Sequence, residues 1–368
     1  MSDKIKIAVV GVGNCCCTLV QGLNYYSDNQ NRTGLFRSHV GSFGIDSIEV
    51  VVAYDVDRRK VGKPLHEAIF AKPNCTKVFC ENIAETSCVV SMSPVMDGVA
   101  PHLADCSEDS AIRVSDARQP EREEIIAQLV DSGAEILLNY LPVGSEQASR
   151  FYAGCALEAG LGFINCMPTM IANDSDFVQK FEAKGLPIIG DDIKSQLGAT
   201  IVHRTLVKLF RERGVTLDHT YQLNVGGNLD FLNMKDQSRL TSKKLSKTES
   251  VQSMTAQRLD EEDIHVGPSD YVPWLKDNKT AFIRLEGRLF GDVPMNLEIR
   301  LSVEDSPNSA GVAVDMIRMA KLARDKRIGG VLSGPSACYC KKPPVQMSDD
   351  EALRATDEFV EFIESLKG

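Results

Sequence analysis

Nowhere does the sequence run apolar for the ~20 positions that a bilayer-spanning helix needs, so a membrane-embedded role has no support. Positive charge is also in deficit. Lys and Arg number 41 against 51 Asp and Glu, a formal net charge of −10. That balance disfavours non-specific nucleic-acid binding, which needs a basic face. An anionic small molecule stays compatible with it, because a few lysines converging in one cleft override the overall field. Metal-ligand spacing is missing as well. His66, His102, His203, His219 and His265 show none and read as core-edge or surface residues. Among 11 cysteines there is no paired CxxC pattern of a zinc site, and the run Cys15-Cys16-Cys17 cannot easily close a strain-free disulfide. No metal residue is assigned, and an assisting divalent metal or monovalent cation is left open. Met1 leads directly into a charged–apolar strand pattern without a signal peptide's long apolar region, so reduced thiols in a cytoplasmic protein are the expectation. No internal repeat is visible.

What is present fits a soluble globular chain: 43% hydrophobic and 25% charged residues over 368 positions, a length that suits two domains. Residues 4–10 (KIKIAVV) predict a buried strand, 11–14 a tight turn, and 15–25 a helix with Cys16, Leu19, Val20 and Leu23 on one face. Residues 27–44, rich in Asn, Ser and Gly, read as an inserted surface loop, and 48–54 (IEVVVAY) as a second strand closing on Asp55. Residues 72–118 show no regular pattern. Beyond them come a helix at 121–131, a strand at 135–139, and a helix to 158 with Ser145 as its N-cap. Short strands at 162–165 and 187–190 flank a helix at 174–184. This alternation predicts an α/β fold with a doubly wound, mostly parallel sheet. The texture changes near Gly198: a helix to 213 leads into longer, alternating strands at 216–224, 280–287 and 295–303, which predict a partly antiparallel sheet. Helices at 308–327 and 349–366 close the chain. The expected division is 1–197, an inserted domain at 198–308, and 309–368.

Gly11-Val12-Gly13 follows a strand and opens a helix, where a dinucleotide pyrophosphate can sit over free backbone amides. Glycine suits the turn because a Cβ would obstruct both chain and phosphate. The third glycine position holds Cys16, small enough to pack. Gly11, Gly13, Asn14 and Cys15 are the candidate cofactor contacts at the turn, and Asp55 is the candidate carboxylate for the adenosine ribose. Its distance from the turn exceeds the usual ~20 residues, and the segment 27–44 accounts for the excess. Arg58 and Arg59 could hold a 2′-phosphate, but Asp55 would repel it, so NAD is favoured over NADP.

Further chemistry gathers between residues 190 and 345. Gly190-Asp191-Asp192-Ile193-Lys194-Ser195 sits at the C-terminal edge of a predicted parallel strand, where doubly wound folds place their sites. Asp191 can serve as a cap, which leaves Asp192 as the site carboxylate. Lys243 and Lys247, four apart, would share one helical face; their mutual repulsion suggests an anion between them. Lys279, Asp305 and Lys341 complete the set.

The strings GDDIKSQLGAT, QLNVGGNLDFLNM, SKKLSKT, HVGPSDYVPWL, RLEGRLFGDVPMNLE and EDSPNSAGVAVD closely resemble the actinobacterial-type branch of the inositol-1-phosphate (inositol-3-phosphate) synthases, and the likeness runs from VVGVGNC to near Pro344. It is loosest at 75–121. The resemblance implies a Rossmann-type NAD domain completed by the C-terminal helices, with an inserted mixed α+β domain that supplies catalysis and homotetramer contacts. It implies the conversion of glucose 6-phosphate to inositol phosphate: oxidation at C5, enolisation, aldol closure onto C1, and re-reduction by the same NAD. Matched onto the family pattern, Lys243, Lys247, Lys279 and Lys341 are catalytic or phosphate-holding, with Lys243 and Lys341 near the C5 oxygen and Lys279 near C1. Asp192 and Asp305 position them and relay protons, Asp192 also bordering the cofactor. Ser195, Gly198 and Lys247 surround the phosphate. A base lysine in such a site is expected to be tuned down toward ~7–8 by neighbouring cations. A net oxidoreductase of the homoserine or semialdehyde dehydrogenase type shares such an architecture, but would accumulate or consume NADH stoichiometrically.

Overall fold

The computed structural model describes residues 4–27, 32–234 and 241–366, with the side chains of 241–246 and of 268–269 outside that description. Strand β1 (Ile5–Val10) buries Ile5, Ile7 and Val9 on one face and Ala8 and Val10 on the other. Apolar burial on both faces marks a central parallel strand. The chain continues through α1 (Asn14–Ser27), β2 (Ile48–Asp55), α2 (Leu65–Ala68), β3 (Val90–Met92), α3 (Arg122–Asp131), β4 (Ile136–Asn139), α4 (Glu146–Ala159), β5 (Gly162–Asn165), α5 (Ser175–Ala183) and β6 (Pro187–Ile189). There follow α6 (Ala199–Glu212), β7 (Thr216–Gly226), α7 (Leu229–Asn233), α8 (Thr241–Gln252), β8 (Ile264–Tyr271), β9 (Asn278–Arg288) and β10 (Pro294–Glu304). The last elements are α9 (Asp305–Asp325), β11 (Gly330–Val331), α10 (Ser333–Tyr339) and α11 (Asp349–Ser365).

A seven-stranded sheet has the order β11-β6-β5-β4-β1-β2-β3, and its pairings are parallel. Residues of α1 and α9 cover the face carrying Ile5, Ile7 and Val9, while α3 and α4 cover the other, so the sheet is doubly wound as the alternation predicts. A four-stranded sheet, β10-β9-β7-β8, mixes antiparallel pairings with the parallel pair β7–β8. On it α6 lays a stripe of Thr200, His203, Arg204, Val207 and Phe210, the helical spacing of one buried face. Asp305, first residue of α9, directly follows Glu304, last residue of β10, so the chain passes from the second sheet to the first without a linker. No described helix is long and apolar enough to cross a membrane.

The structure corrects several local expectations. Ser145 stands at the N-terminus of α4 but does not cap it; its hydroxyl donates to the Pro142 carbonyl (2.5 Å), and the amides of Gln147 and Ala148 donate instead to Asp97 (2.7 and 3.0 Å). A full carboxylate charge at the positive end of a helix outcompetes a hydroxyl there. Residues 32–44 are not merely a surface loop: Val40 and Phe43 are buried, and the sealed Arg318 collects the carbonyls of Arg37 (2.9 Å) and Ser38 (3.1 Å). The first part of the irregular stretch 72–118 takes hydrogen bonds from α1. Gln21 Oε1 accepts from the amides of Phe79 (2.8 Å) and Cys80 (3.2 Å), and Asn14 Oδ1 accepts from that of Cys75 (2.8 Å). Strand β8 escaped the sequence reading because glycine and proline interrupt its pattern.

His203 is buried between Thr220 Oγ1 (2.7 Å from Nε2) and Gln222 Oε1 (3.3 Å from Nδ1), and burial pushes its pKa down to about 4. A histidine depressed in the folded state contributes stability that is present above its unfolded pKa of ~6.5 and lost as pH falls toward the folded value. The stability advantage of wild type over His203→Gln is therefore expected to shrink between pH 6.5 and about 4, by on the order of 3 kcal/mol in paired urea titrations. A pH-independent difference would show that His203 is not held neutral.

Candidate active site

Gly11 ends β1 at φ +95, and a Cβ there would stand 2.5 Å from the Tyr140 carbonyl oxygen, so both conformation and space demand glycine. The turn is fastened to the end of β2: the Gly11 amide donates to Tyr54 O (2.9 Å) and the Val12 amide to Asp55 Oδ2 (2.8 Å). Asp55 Oδ1 also accepts from the amides of Val56 (2.7 Å) and Asp57 (2.8 Å). This carboxylate, expected only as a ribose acceptor, is thus first of all the pin of the glycine turn. Buried Lys60 supports it from beneath, donating to Val12 O (2.7 Å) and Asn74 Oδ1 (2.9 Å), with Nζ 3.8 Å from Asp55 Oδ2. Arg59 is engaged by Asp57 (2.5 Å) and the Ala111 carbonyl (2.8 Å), and Arg58 by Glu108 (2.7 Å).

Across the turn lies Asp277, buried on the approach to β9. Its Oδ1 accepts from Asn14 Nδ2 (3.2 Å), Asn228 Nδ2 (3.0 Å) and Ser306 Oγ (2.9 Å), and its Oδ2 from Thr76 Oγ1 (2.9 Å) and the Ser306 amide (3.0 Å). One carboxylate therefore joins the start of α1, the 72–118 stretch, the cap of α7 and the start of α9. Burial, followed by the neighbouring charge of Asp305, raises its pKa.

Beyond β6, residues 191–194 pair antiparallel with 339–342. Lys194 N donates to Tyr339 O (2.7 Å), Lys341 N to Asp192 O (2.6 Å), Lys342 N to Asp191 O (3.0 Å) and Asp191 N to Lys342 O (3.1 Å). This ribbon sets Lys341 Nζ 2.9 Å from Asp192 Oδ1, with Asp192 at φ +64. Lys279, at the start of β9, pairs with Asp305. Burial works against charge on Lys341, yet Asp192, aided by Asp305 and Asp230, raises its pKa. The expected downward tuning by cations is thus reversed at this lysine, because its neighbours are carboxylates. A lysine lowered to about 8, by burial and then Arg204, is Lys194, which braces Ala337 O (2.7 Å). Asp191 caps no following helix; it is sealed among the amides of Ile171 (3.1 Å) and Ala172 (3.0 Å) and the side chains of Asn165 (2.7 Å) and Asn173 (3.0 Å). Burial lifts the Cys15 thiol to about 12, so it lines the site as a neutral group.

Gly11, Gly13, Asn14, Cys15, Asp55, Asp192, Ser195, Gly198, Lys247, Lys279, Asp305 and Lys341 all border one cavity between the two sheets. Gly198 precedes the first turn of α6, and Ala199 and Thr200 of that turn face the same space. Lys243 and Lys247 both belong to α8; the side chain of Lys243 lies outside the described residues. Sequence reasoning missed Lys60 and Asn74, and read 226–231 only as a close-approach loop without a role for Asn228 or Asp230; all four border the cavity, and Asp277, also missed, braces it. Asn228 carried a readable signal, since its side chain caps α7 through the Phe231 amide (3.3 Å). Among the described residues no group of three or more His, Cys, Asp or Glu could hold a metal ion.

A glycine turn over parallel strands, faced by one lysine–carboxylate pair beyond β6 and another where β9 of the second sheet begins, defines an enzyme built on a Rossmann-type fold. Residues 198–306 match the family described as myo-inositol-1-phosphate synthase. The inositol-3-phosphate synthase of Mycolicibacterium smegmatis is 49% identical over 98% of this chain and 99% of its own. That of Mycobacterium tuberculosis (strain CDC 1551 / Oshkosh) is 48% identical over 98% of this chain and 96% of its own. The crystal structure of a myo-inositol-1-phosphate synthase-related protein from Thermotoga maritima shares the fold with a TM-score of 0.81 at 23% identity, covering 97% of this chain and 98% of that one. The chain belongs to the myo-inositol-1-phosphate synthase family.

Asp277→Ala leaves several buried donors without an acceptor, each costing about 1–3 kcal/mol. The variant is expected to melt at lower temperature and to bind NAD more weakly, since Asn14 at the turn loses its anchor. Unchanged melting and unchanged NAD titration together would remove Asp277 from this role.

Proposed function

We infer that the protein converts D-glucose 6-phosphate to 1D-myo-inositol 3-phosphate, with NAD reduced and regenerated within each turnover. The observation that carries this reading is that the Lys341–Asp192 and Lys279–Asp305 pairs open into the same cavity as the glycine turn. The cavity suits the dinucleotide: the Gly11 cradle admits no Cβ, and the buried Tyr140 hydroxyl on its wall has no hydrogen-bond partner. Gly11, Gly13, Asn14, Cys15 and Asp55 would hold NAD, which supplies the oxidation of C5 and its re-reduction. With Arg58 and Arg59 already engaged by carboxylates, NAD is preferred to NADP. Here 1–197 bind the cofactor and carry Asp192, 198–308 supply Lys247, Lys279 and Asp305 and the contacts of a homotetramer, and 309–368 complete the first unit and carry Lys341, in a cytoplasmic enzyme.

Ser195, Gly198 and the first turn of α6, with Lys247, receive the phosphate, as helix N-termini receive anions. Lys341 enters as an ammonium and stabilises charge on the C5 oxygen, with Asp192 as its proton partner. The C5 ketone acidifies C6, Asp305 accepts the C6 proton, and the resulting enolate attacks C1. Lys279, backed by Asp305, supplies the proton and charge that the C1 oxygen requires on ring closure.

Substoichiometric NAD is expected to support complete conversion of glucose 6-phosphate, followed by phosphorus NMR with absorbance monitored for NADH. One NADH accumulating per product would replace this reading with a net dehydrogenase. Lys341→Met and Lys279→Met keep the aliphatic stem and remove the charge, and each is expected to lower kcat by a factor on the order of 10² or more with NAD affinity retained. In a single turnover, Lys341→Met should show no transient NADH, whereas Lys279→Met should form it and stall. Near-normal turnover in both variants would overturn the assigned roles.

A further inference from the structure

We propose that Arg37 is a positioning residue for Lys341, acting through the hydroxyl of Tyr339; this rests on the reading of Lys341 as a site lysine. Arg37 Nη1 donates to the Tyr339 hydroxyl and to Asp315 Oδ2 (3.2 Å), and Nη2 donates to Asp357 Oδ1 (2.6 Å). The Tyr339 hydroxyl donates in turn to Asp315 Oδ2 (2.9 Å). Asp315 and Arg318 form an ion pair sealed at 0% exposure. Asp315 therefore already has its counter-ion, and Arg37 is not needed to neutralise it. What Arg37 adds is a grip on Tyr339, whose ring it also overlies at 6.0 Å.

That grip reaches the site. Tyr339 is the last residue of α10, and its carbonyl accepts the Lys194 amide (2.7 Å), the first rung of the ribbon that carries Lys341. Two residues further on, the Lys341 amide donates to Asp192 O (2.6 Å) while its Nζ meets the Asp192 carboxylate (2.9 Å). The far end of the ribbon is held by Asn173 Nδ2 on Lys342 O (2.8 Å) and by the Asp192 and Ile193 amides on Met167 O (2.9 Å) and Cys166 O (3.2 Å), and the Tyr339 ring adds the restraint at its first rung. The added residues between α1 and β2, which lengthen the spacing from the glycine turn to Asp55, thus carry a strap whose working group is Arg37. Arg318 holds that strap down through the Arg37 and Ser38 carbonyls.

Arg37→Met and Tyr339→Phe test the connection while leaving the Asp315–Arg318 pair intact. Both are expected to lower kcat about tenfold, as displacement of a reacting group by a fraction of an ångström does, with KM and NAD affinity unchanged. Arg37→Lys, which keeps a donor, is expected to recover part of the loss. A readout independent of turnover is acylation of Lys341 by acetic anhydride, followed by peptide mass spectrometry. Labelling is expected to increase in both variants as the Asp192 contact loosens. If wild type fails to convert glucose 6-phosphate yet Lys341 labelling rises in the variants, the positioning stands and the activity reading falls. If labelling and kcat both stay at wild-type values, or if kcat, KM and NAD affinity decline together with melting temperature, Arg37 is only a structural brace and the proposal is overturned.

Discussion

A single buried carboxylate, that of Asp277, meets the two halves of the molecule where chemistry has to happen. Its oxygens accept hydrogen bonds from groups at the start of α1, in the 72–118 stretch, at the cap of α7 and at the start of α9. Buried charge is tolerated only when it is thoroughly hydrogen-bonded, and here the donors are neutral side chains and one backbone amide rather than a counter-ion. The glycine turn therefore cannot shift without disturbing Asn14, nor the Lys279–Asp305 pair without disturbing Ser306. Glycine turn and second sheet are held in register by electrostatics of short range, in a place where apolar packing alone would allow sliding.

A second constraint is topological. Lys341 comes from beyond the last strand of the parallel sheet, yet it stands against Asp192 at the end of β6 because residues 339–342 form backbone hydrogen bonds with 191–194. Lysine and carboxylate are positioned by the same ribbon. With carboxylates as its neighbours, Lys341 carries a firm positive charge, which suits stabilising an oxyanion better than accepting a proton. The cavity thus mixes cations with carboxylates, and the overall acidity of the chain does not prevent an anion from binding among its lysines.

Much of the fold was legible because its signals are local. The apolar alternation of Ile5 to Val10, the glycine turn after it, the periodicity of α6 and α9 and the Asp55 that ends β2 each depend on neighbouring residues, so the parallel sheet and the mixed one could both be anticipated. The family resemblance pointed to Asp192, Lys247, Lys279, Asp305 and Lys341, and these residues do share one cavity. The stretch 72–118 was opaque for an equally physical reason. Several of its amides, those of Cys75, Phe79 and Cys80, bond to Asn14 and Gln21 of α1, and others close single turns such as Leu103 N to Ala100 O (3.1 Å), so no long period is imprinted on it.

The sequence by itself determined the elements, the glycine that only a tight φ-positive turn accepts, and the residue types available for chemistry. Tertiary structure alone decided which charges meet. It turned Asp55 into the anchor of backbone amides, replaced the expected Ser145 cap by Asp97, buried Lys194 against the Ala337 carbonyl, and surrounded Lys341 with carboxylates rather than cations. Local conformation follows from sterics and hydrogen bonding within a few residues, whereas the energy of a charge depends on burial and on partners that folding brings from elsewhere in the chain.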